Sequence, residues 1–231
     1  MFRDIVPVAG VAIAASLFFA SNPAHADWSG YYAGVHTGFV SSNTKWKWNQ
    51  PGDYATSAGE TFSDRLNGLA AGGQVGYQHQ WGNWVAGIEL AATAGQQKDE
   101  TASPTTSGVV LKTQIDWFAT AAAKFGYARD NFLLYGLAGY AGADIHIAPE
   151  KPAISDFSNK KWQSGFLVGA GVDYLLTEHI VLGAQYEYLS LAKMERSGTG
   201  SYQTGGSTGV SESIDIKSNI QLVSARVSWK F

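Results

Sequence analysis

The chain closes on Ile220-Gln221-Leu222-Val223-Ser224-Ala225-Arg226-Val227-Ser228-Trp229-Lys230-Phe231, and the reading of this stretch decides the fold. Side chains alternate sides along a strand, so Val223, Ala225, Val227, Trp229 and Phe231 share one face while Ser224, Arg226, Ser228 and Lys230 share the other. The first face is apolar and ends on aromatic rings; the second is polar and charged. A soluble sandwich rarely stops a strand in this way, whereas the last strand of a membrane barrel can end at an aromatic girdle.

Composition agrees with such a barrel. The 231 residues include 27 Gly, 11 Phe, 11 Tyr and 8 Trp, with 15% charged residues and a net charge of -3. Disordered chains are poorer in aromatics, and no Lys/Arg-rich run points to nucleic acid. Cysteine is absent, which excludes disulfides, thiolate metal sites and a lipid anchor on an amino-terminal Cys. Past residue 20 no apolar run approaches the about 18 residues of a membrane helix. A membrane form then has to be a closed barrel, the other way to satisfy every backbone group in lipid. Residues 1–26 stand apart: Arg3, an apolar run from Ile5 to Ala20 and Ala24-His25-Ala26 read as a secretory signal peptide. The barrel domain is expected over 27–231.

Alternation recurs in segments of about 10 to 14 residues, the length of a tilted membrane strand. Eight are expected, near residues 30–40, 68–81, 84–95, 113–127, 132–145, 162–174, 180–190 and the closing strand. The segment 68–81 is the clearest, with Leu69, Ala71, Val75, Tyr77 and Trp81 against Gly72, Gln74, Gly76, Gln78 and Gln80. Segment 132–145 is apolar on both faces; Leu133, Tyr135 and Leu137 are assigned outward, Tyr140 and Asp144 inward. Short turns near 82, 129 and 177 alternate with long polar connections at 41–67, 96–112, 146–161 and 191–213. This is the sidedness of an all-β, eight-stranded antiparallel transmembrane up-and-down barrel in the outer membrane.

Asp27-Trp28-Ser29-Gly30-Tyr31-Tyr32-Ala33-Gly34 resembles the W-[TS]-G-[FY]-Y-x-G opening of the small outer-membrane surface-antigen barrels of alphaproteobacteria, the porin-like or outer-membrane immunogenic family. Gly73-Gln74-Val75-Gly76-Tyr77, Lys124-Phe125-Gly126-Tyr127, Gly169-Ala170-Gly171-Val172-Asp173-Tyr174, Tyr186-Glu187-Tyr188-Leu189 and Trp229-Lys230-Phe231 are similar to its later motifs, in the same order. Ala122, Gly183 and Gln185 stand where that family often carries charge. The resemblance implies a structural or surface-interacting envelope protein, some of whose relatives are reported to bind haem. It also implies that Trp229 and Phe231 form the signal read by the outer-membrane barrel assembly machinery.

An eight-stranded barrel is just wide enough for side chains to fill. Glu89, Asp116, Lys124, Asp144, Asp173, Glu187, Arg226 and Lys230 are expected inside, pairing with one another as buried charges must; the alternative is a narrow ion path. No enzyme is expected: His146 with Asp144 and a loop Ser makes a triad only on paper, and Gly169-x-Gly171 lacks the third Gly of a dinucleotide loop. Lys45-Trp46-Lys47-Trp48 is the sharpest loop feature. It is expected to meet outer-membrane lipid and lipopolysaccharide, with stacking on a flat ligand such as haem, or contact with a host or extracellular ligand, as the competing reading. No cofactor and no metal are expected.

Overall fold

The structure, a computed structural model, describes residues 26–48, 61–102, 110–149, 161–201 and 207–231. The expected signal peptide therefore lies outside the described residues, apart from Ala26. The described residues form strands only: β1 (Gly30–Trp48), β2 (Thr61–Trp81), β3 (Trp84–Ala102), β4 (Val110–Arg129), β5 (Phe132–Pro149), β6 (Lys161–Leu175), β7 (Ile180–Leu191), β8 (Met194–Ser201) and β9 (Ser207–Lys230). Each strand pairs antiparallel with its neighbour, and β9 returns to β1, from Tyr32↔Lys230 to Trp48↔Ile214. From the tight turns up to the outer strand extensions the sheet closes on itself without a free edge, which is what a wall in lipid requires; β8, further out, pairs with β9 alone among the described residues.

β7 and β8 both pair with β9, Ser190 opposite Asn219 and Met194 opposite Ile216, so the register slips by one residue across Ala192 and Lys193. Together they make one stave, and the barrel is eight-stranded. A second irregularity lies between Ile115 and Trp117: β4 bulges at Asp116 against β5, while on its other side β3 carries the extra residue between Ala94 and Gln97. Strands run well past the expected boundaries: most of the stretches read as polar connections, such as 41–48 and 61–67, are strand continuing outward. Polarity marks where the wall leaves the membrane, while backbone pairing continues beyond it.

The turns at one end are tight. Gly82 (φ 61°) and Asp130 (φ 53°) take the left-handed conformation that a two-residue reversal needs, and Gly and Asp are among the residues that adopt it. Both chain ends of the barrel meet here, the Phe231 N–H donating to the Tyr31 carbonyl at 2.9 Å. In membrane barrels the tight-turn end is periplasmic.

The outer wall follows the closing-strand pattern. Phe39, Leu69, Ile88, Leu90, Phe125, Val168 and Val223 are exposed, as a lipid-facing surface must be. Near the turns the rings gather into a girdle: Tyr31 with Tyr77 (4.8 Å between centroids), Trp84 with Phe125 and Tyr127 (5.3 Å each), Phe132 with Tyr174 (4.8 Å), and His179 with Trp229 (5.0 Å). Trp229 and Phe231 point outward here.

β5 is turned over relative to its expected orientation. Leu133, Tyr135 and Leu137 are buried in the lumen, and Leu134 and Tyr140 face out. Asp144 pairs with Trp162 and Trp117 and so lies on the outer face of the sheet, covered rather than exposed. The cause is compositional: the lumen contains apolar layers as well as polar ones, so hydrophobicity does not mark the outside of β5.

Candidate functional site in the lumen and at the rim

Inward side chains stack in three layers. At the turn end Trp28, Val85, Ala128, Leu133, Leu175 and Val181 are buried and belong to one apolar cluster. Trp28, fully buried, is the stopper. Its backbone N–H donates to Gln80 Oε1 at 2.8 Å, Ser29 Oγ accepts from the Gln80 backbone N–H at 3.1 Å, and the Asp27 carbonyl accepts from the Lys230 ammonium. The segment 27–29 is thus tied across the mouth to β2 and β9. The Ser29 N–H on Asp27 holds that carboxyl below its ordinary range.

The middle layer is polar. Lys124 Nζ lies 2.7 Å from Asp173 Oδ2 and 3.7 Å from the centre of the Tyr135 ring. The Tyr135 hydroxyl donates to Gln185 Oε1 at 2.6 Å. Arg226 presents both guanidinium nitrogens to Glu89, Nη1 to Oε1 at 3.1 Å and Nη2 to Oε2, and Nη1 also donates to Gln185 Oε1. Tyr32 closes the group, its hydroxyl donating to Glu89 Oε2 at 2.8 Å. Among the described residues Glu187 accepts only a Gln185 amide N–H, at 3.1 Å, and forms no ion pair. Glycines admit the rings: a Cβ at Gly76 would run into Tyr32, and one at Gly171 into Tyr135. Beside this group a hydrogen-bonded chain crosses four strands, Thr93 to His36 (2.9 Å), His36 to Gln74 (2.7 Å) and Gln74 Nε2 to Ser228 Oγ (3.0 Å).

Above it the lumen is mostly apolar, with Val40, Phe118, Ala141, Leu167, Leu189, Ile220 and Leu222 buried among the uncharged polar side chains of Ser42, Thr93, Thr120, Gln163 and Ser218. The arrangement can hold charge in a dry interior through paired, multiply hydrogen-bonded groups.

The structure thus brings together five of the residues singled out from sequence, Glu89, Lys124, Asp173, Glu187 and Arg226. Lys230 sits at the mouth and reaches Asp27, apart from that group. Asp144 is on the opposite face of the sheet, and Asp116 is at the bulge, its side chain outside the described residues. Sequence reasoning missed Trp28 as a stopper, Tyr135 and His36 as lumen partners, and both apolar layers. Only Trp28 carried a signal, as part of the amino-terminal motif.

At the opposite, outer end Lys45 and Lys47 are exposed, on the outward row of β1 that also carries Phe39. The side chains of Trp46, Trp48 and His146 lie outside the described residues. Among the described residues no three His, Asp or Glu side chains converge as a metal-binding group.

A family model described as the outer membrane protein beta-barrel domain matches residues 10–231. The chain is 26% identical over 180 residues to a 31 kDa outer-membrane immunogenic protein of Brucella melitensis, covering 72% of each. It is 35% identical over 132 residues to a 22 kDa outer membrane protein of Rhizobium leguminosarum bv. viciae, 56% of each. Among solved structures it superposes on the outer membrane protein OprG of Pseudomonas aeruginosa with a TM-score of 0.55 and 14% identity, over 88% of this chain and 96% of that one.

Proposed function

The chain belongs to the outer membrane protein beta-barrel domain family, and from that premise we propose that it is a closed, non-conducting barrel whose role lies in the envelope wall and at the cell surface. It is an outer-membrane protein, in the same class as its Brucella and Rhizobium relatives. Export depends on residues 1–26, and insertion on the assembly machinery reading Trp229 and Phe231.

The observation that carries the reading is the stacking of the lumen: a buried apolar layer on each side of the charged layer, with Trp28 across one mouth. On both sides of the charged layer the inward side chains are uncharged, with Val85, Leu133 and Val181 at one end and Phe118, Leu167 and Leu189 at the other standing among Gln, Ser and Thr, so among the described residues charged groups do not line the lumen from end to end. Neither does the lumen offer an enzyme's groups: His36 is held on both ring nitrogens, and Lys124 and Arg226 are tied to carboxylates.

The surface role rests on the outward row of β1, where Lys45 and Lys47 meet the lipopolysaccharide leaflet; alternation along β1 assigns Trp46 and Trp48 to its other row. Planar-bilayer recording and liposome swelling with refolded protein test the closed barrel. No steady conductance and no sugar permeation are expected; multi-ion conductance in the parent refutes the reading. The haem alternative has its own readout: Soret titration stays blank for the parent and for Trp46→Ala with Trp48→Ala, and a saturable shift lost in the variant reverses the assignment.

A further inference from the structure

We infer that the outer wall of β1, β9 and the β7–β8 junction is a binding site for the phosphorylated sugar headgroup of an outer-leaflet glycolipid. This deepens the surface role proposed above and rests on the outer end of the barrel standing in that leaflet.

The site is a product of register. Lys45 stands directly opposite Lys217 across the β1–β9 seam, and Lys47 stands opposite Asp215. Both lysines of the first pair are exposed, and like charges face to face on neighbouring strands destabilise a sheet. Lys193, at the slip between β7 and β8, adds a fourth ammonium, 2.8 Å from Asp215. Asp215 stands beside these ammonium groups, with Glu195 opposite it on β8, and among the described residues no ion pair ties Lys45, Lys47 or Lys217. An outward-facing cross-strand lysine pair is a place where an external anion can bridge the two strands.

The wall below selects the occupant. Going down the seam from the lysines, Asn43 faces Asn219, and then Phe39 faces Val223, both well exposed. From Phe39 to Lys45 the rise is about 15 Å for strands at their usual tilt, the depth of headgroups rather than acyl chains. The order apolar, amide, ammonium matches acyl chain, acylated sugar and phosphate in an amphiphile standing beside the barrel. These side chains project sideways from the wall, where a lipid arrives in the plane of the leaflet.

The test uses the full-length folded protein in phosphatidylcholine vesicles, alone or with bisphosphorylated lipid A. The parent is compared with Lys45→Gln/Lys217→Gln and with Arg129→Gln, which removes an exposed charge at the turn end. In phosphatidylcholine alone the double variant should unfold in urea at the parent's midpoint or above it, because a repulsion is gone. With lipid A the parent's midpoint should rise and the variant's should not. Lipid A retained per barrel, counted by native mass spectrometry, should fall about thirtyfold in the double variant, a factor of roughly five for each lysine. Arg129→Gln should behave as the parent.

Dephosphorylated lipid A and a soluble sulfated polysaccharide should give no gain. A gain from the polysaccharide, an equal gain with dephosphorylated lipid A, or equal losses in the double variant and Arg129→Gln each overturn the proposal. Failure here leaves the closed lumen untouched, since conductance is read separately.

Discussion

Lys124 is buried, held by Asp173 on one side and the face of Tyr135 on the other. Lys124→Met leaves Asp173 without its cation and should lower stability by about 3–5 kcal/mol; pairing it with Asp173→Leu should recover much of the loss. Urea unfolding of the parent and both variants checks this. Glu89 and Glu187 give a sharper contrast. Glu89→Gln strands the Arg226 guanidinium, at a similar cost of about 3–5 kcal/mol. Glu187→Gln removes a carboxylate that forms no ion pair among the described residues and should cost about 1 kcal/mol or less. Equal losses at the two positions would mean that Glu187 is also paired. Of the charges expected inside, Glu89, Lys124, Asp173 and Arg226 interrupt otherwise uncharged runs and meet in the lumen, whereas Asp144 and Lys230 do not join them. Which charge meets which was not legible, since partners come from the strand stagger around the barrel, and no local pattern encodes that.

β5 shows where element-level reading failed and why. On β2 and on the last turn-ward part of β9, from Val223 to Lys230, one face is Gly, Gln, Ser or charge and the other apolar, so the period of two assigns both faces. On β5 the inward row of Leu133, Tyr135, Leu137, Ala141 and Ala143 is as apolar as the outward row, because this stave lines both hydrophobic layers of the lumen. Burial, unlike hydropathy, separates them: Leu133 is fully covered and Leu134 is 66% exposed. The chain has no cysteine, so single spin labels report cleanly. A label at Leu134→Cys should contact dissolved oxygen in the bilayer, and one at Leu133→Cys should be shielded or prevent folding. Oxygen contact at both would return β5 to its expected orientation. On β6, Val168 faces lipid beside Ala138 and Tyr188. Val168→Arg should cost about 2–4 kcal/mol near the midplane, measured by unfolding from bilayers.

For the whole molecule, closure joins residues almost the length of the chain apart, and the terminal segment decides it. Deleting Phe231 should reduce outer-membrane levels in cells while leaving refolding in detergent nearly unchanged; normal surface levels of the truncated chain would remove its role as an assembly signal. The barrel's eight staves were readable from alternation, whereas the split of the seventh was not, because a one-residue slip leaves the pattern on either side intact. The position of Arg226 on the last strand has a consequence in time. Until β9 arrives, the charged layer holds Glu89, Asp173 and Glu187 against Lys124 alone. An unfinished sheet therefore carries excess negative charge along its inner face, and water must stay with it. The twelve final residues bring the seam and the missing cation together, so sealing and drying of the interior become one event. A nascent chain stalled before Arg226 should remain extractable by alkaline washing, while one that has passed it should become resistant.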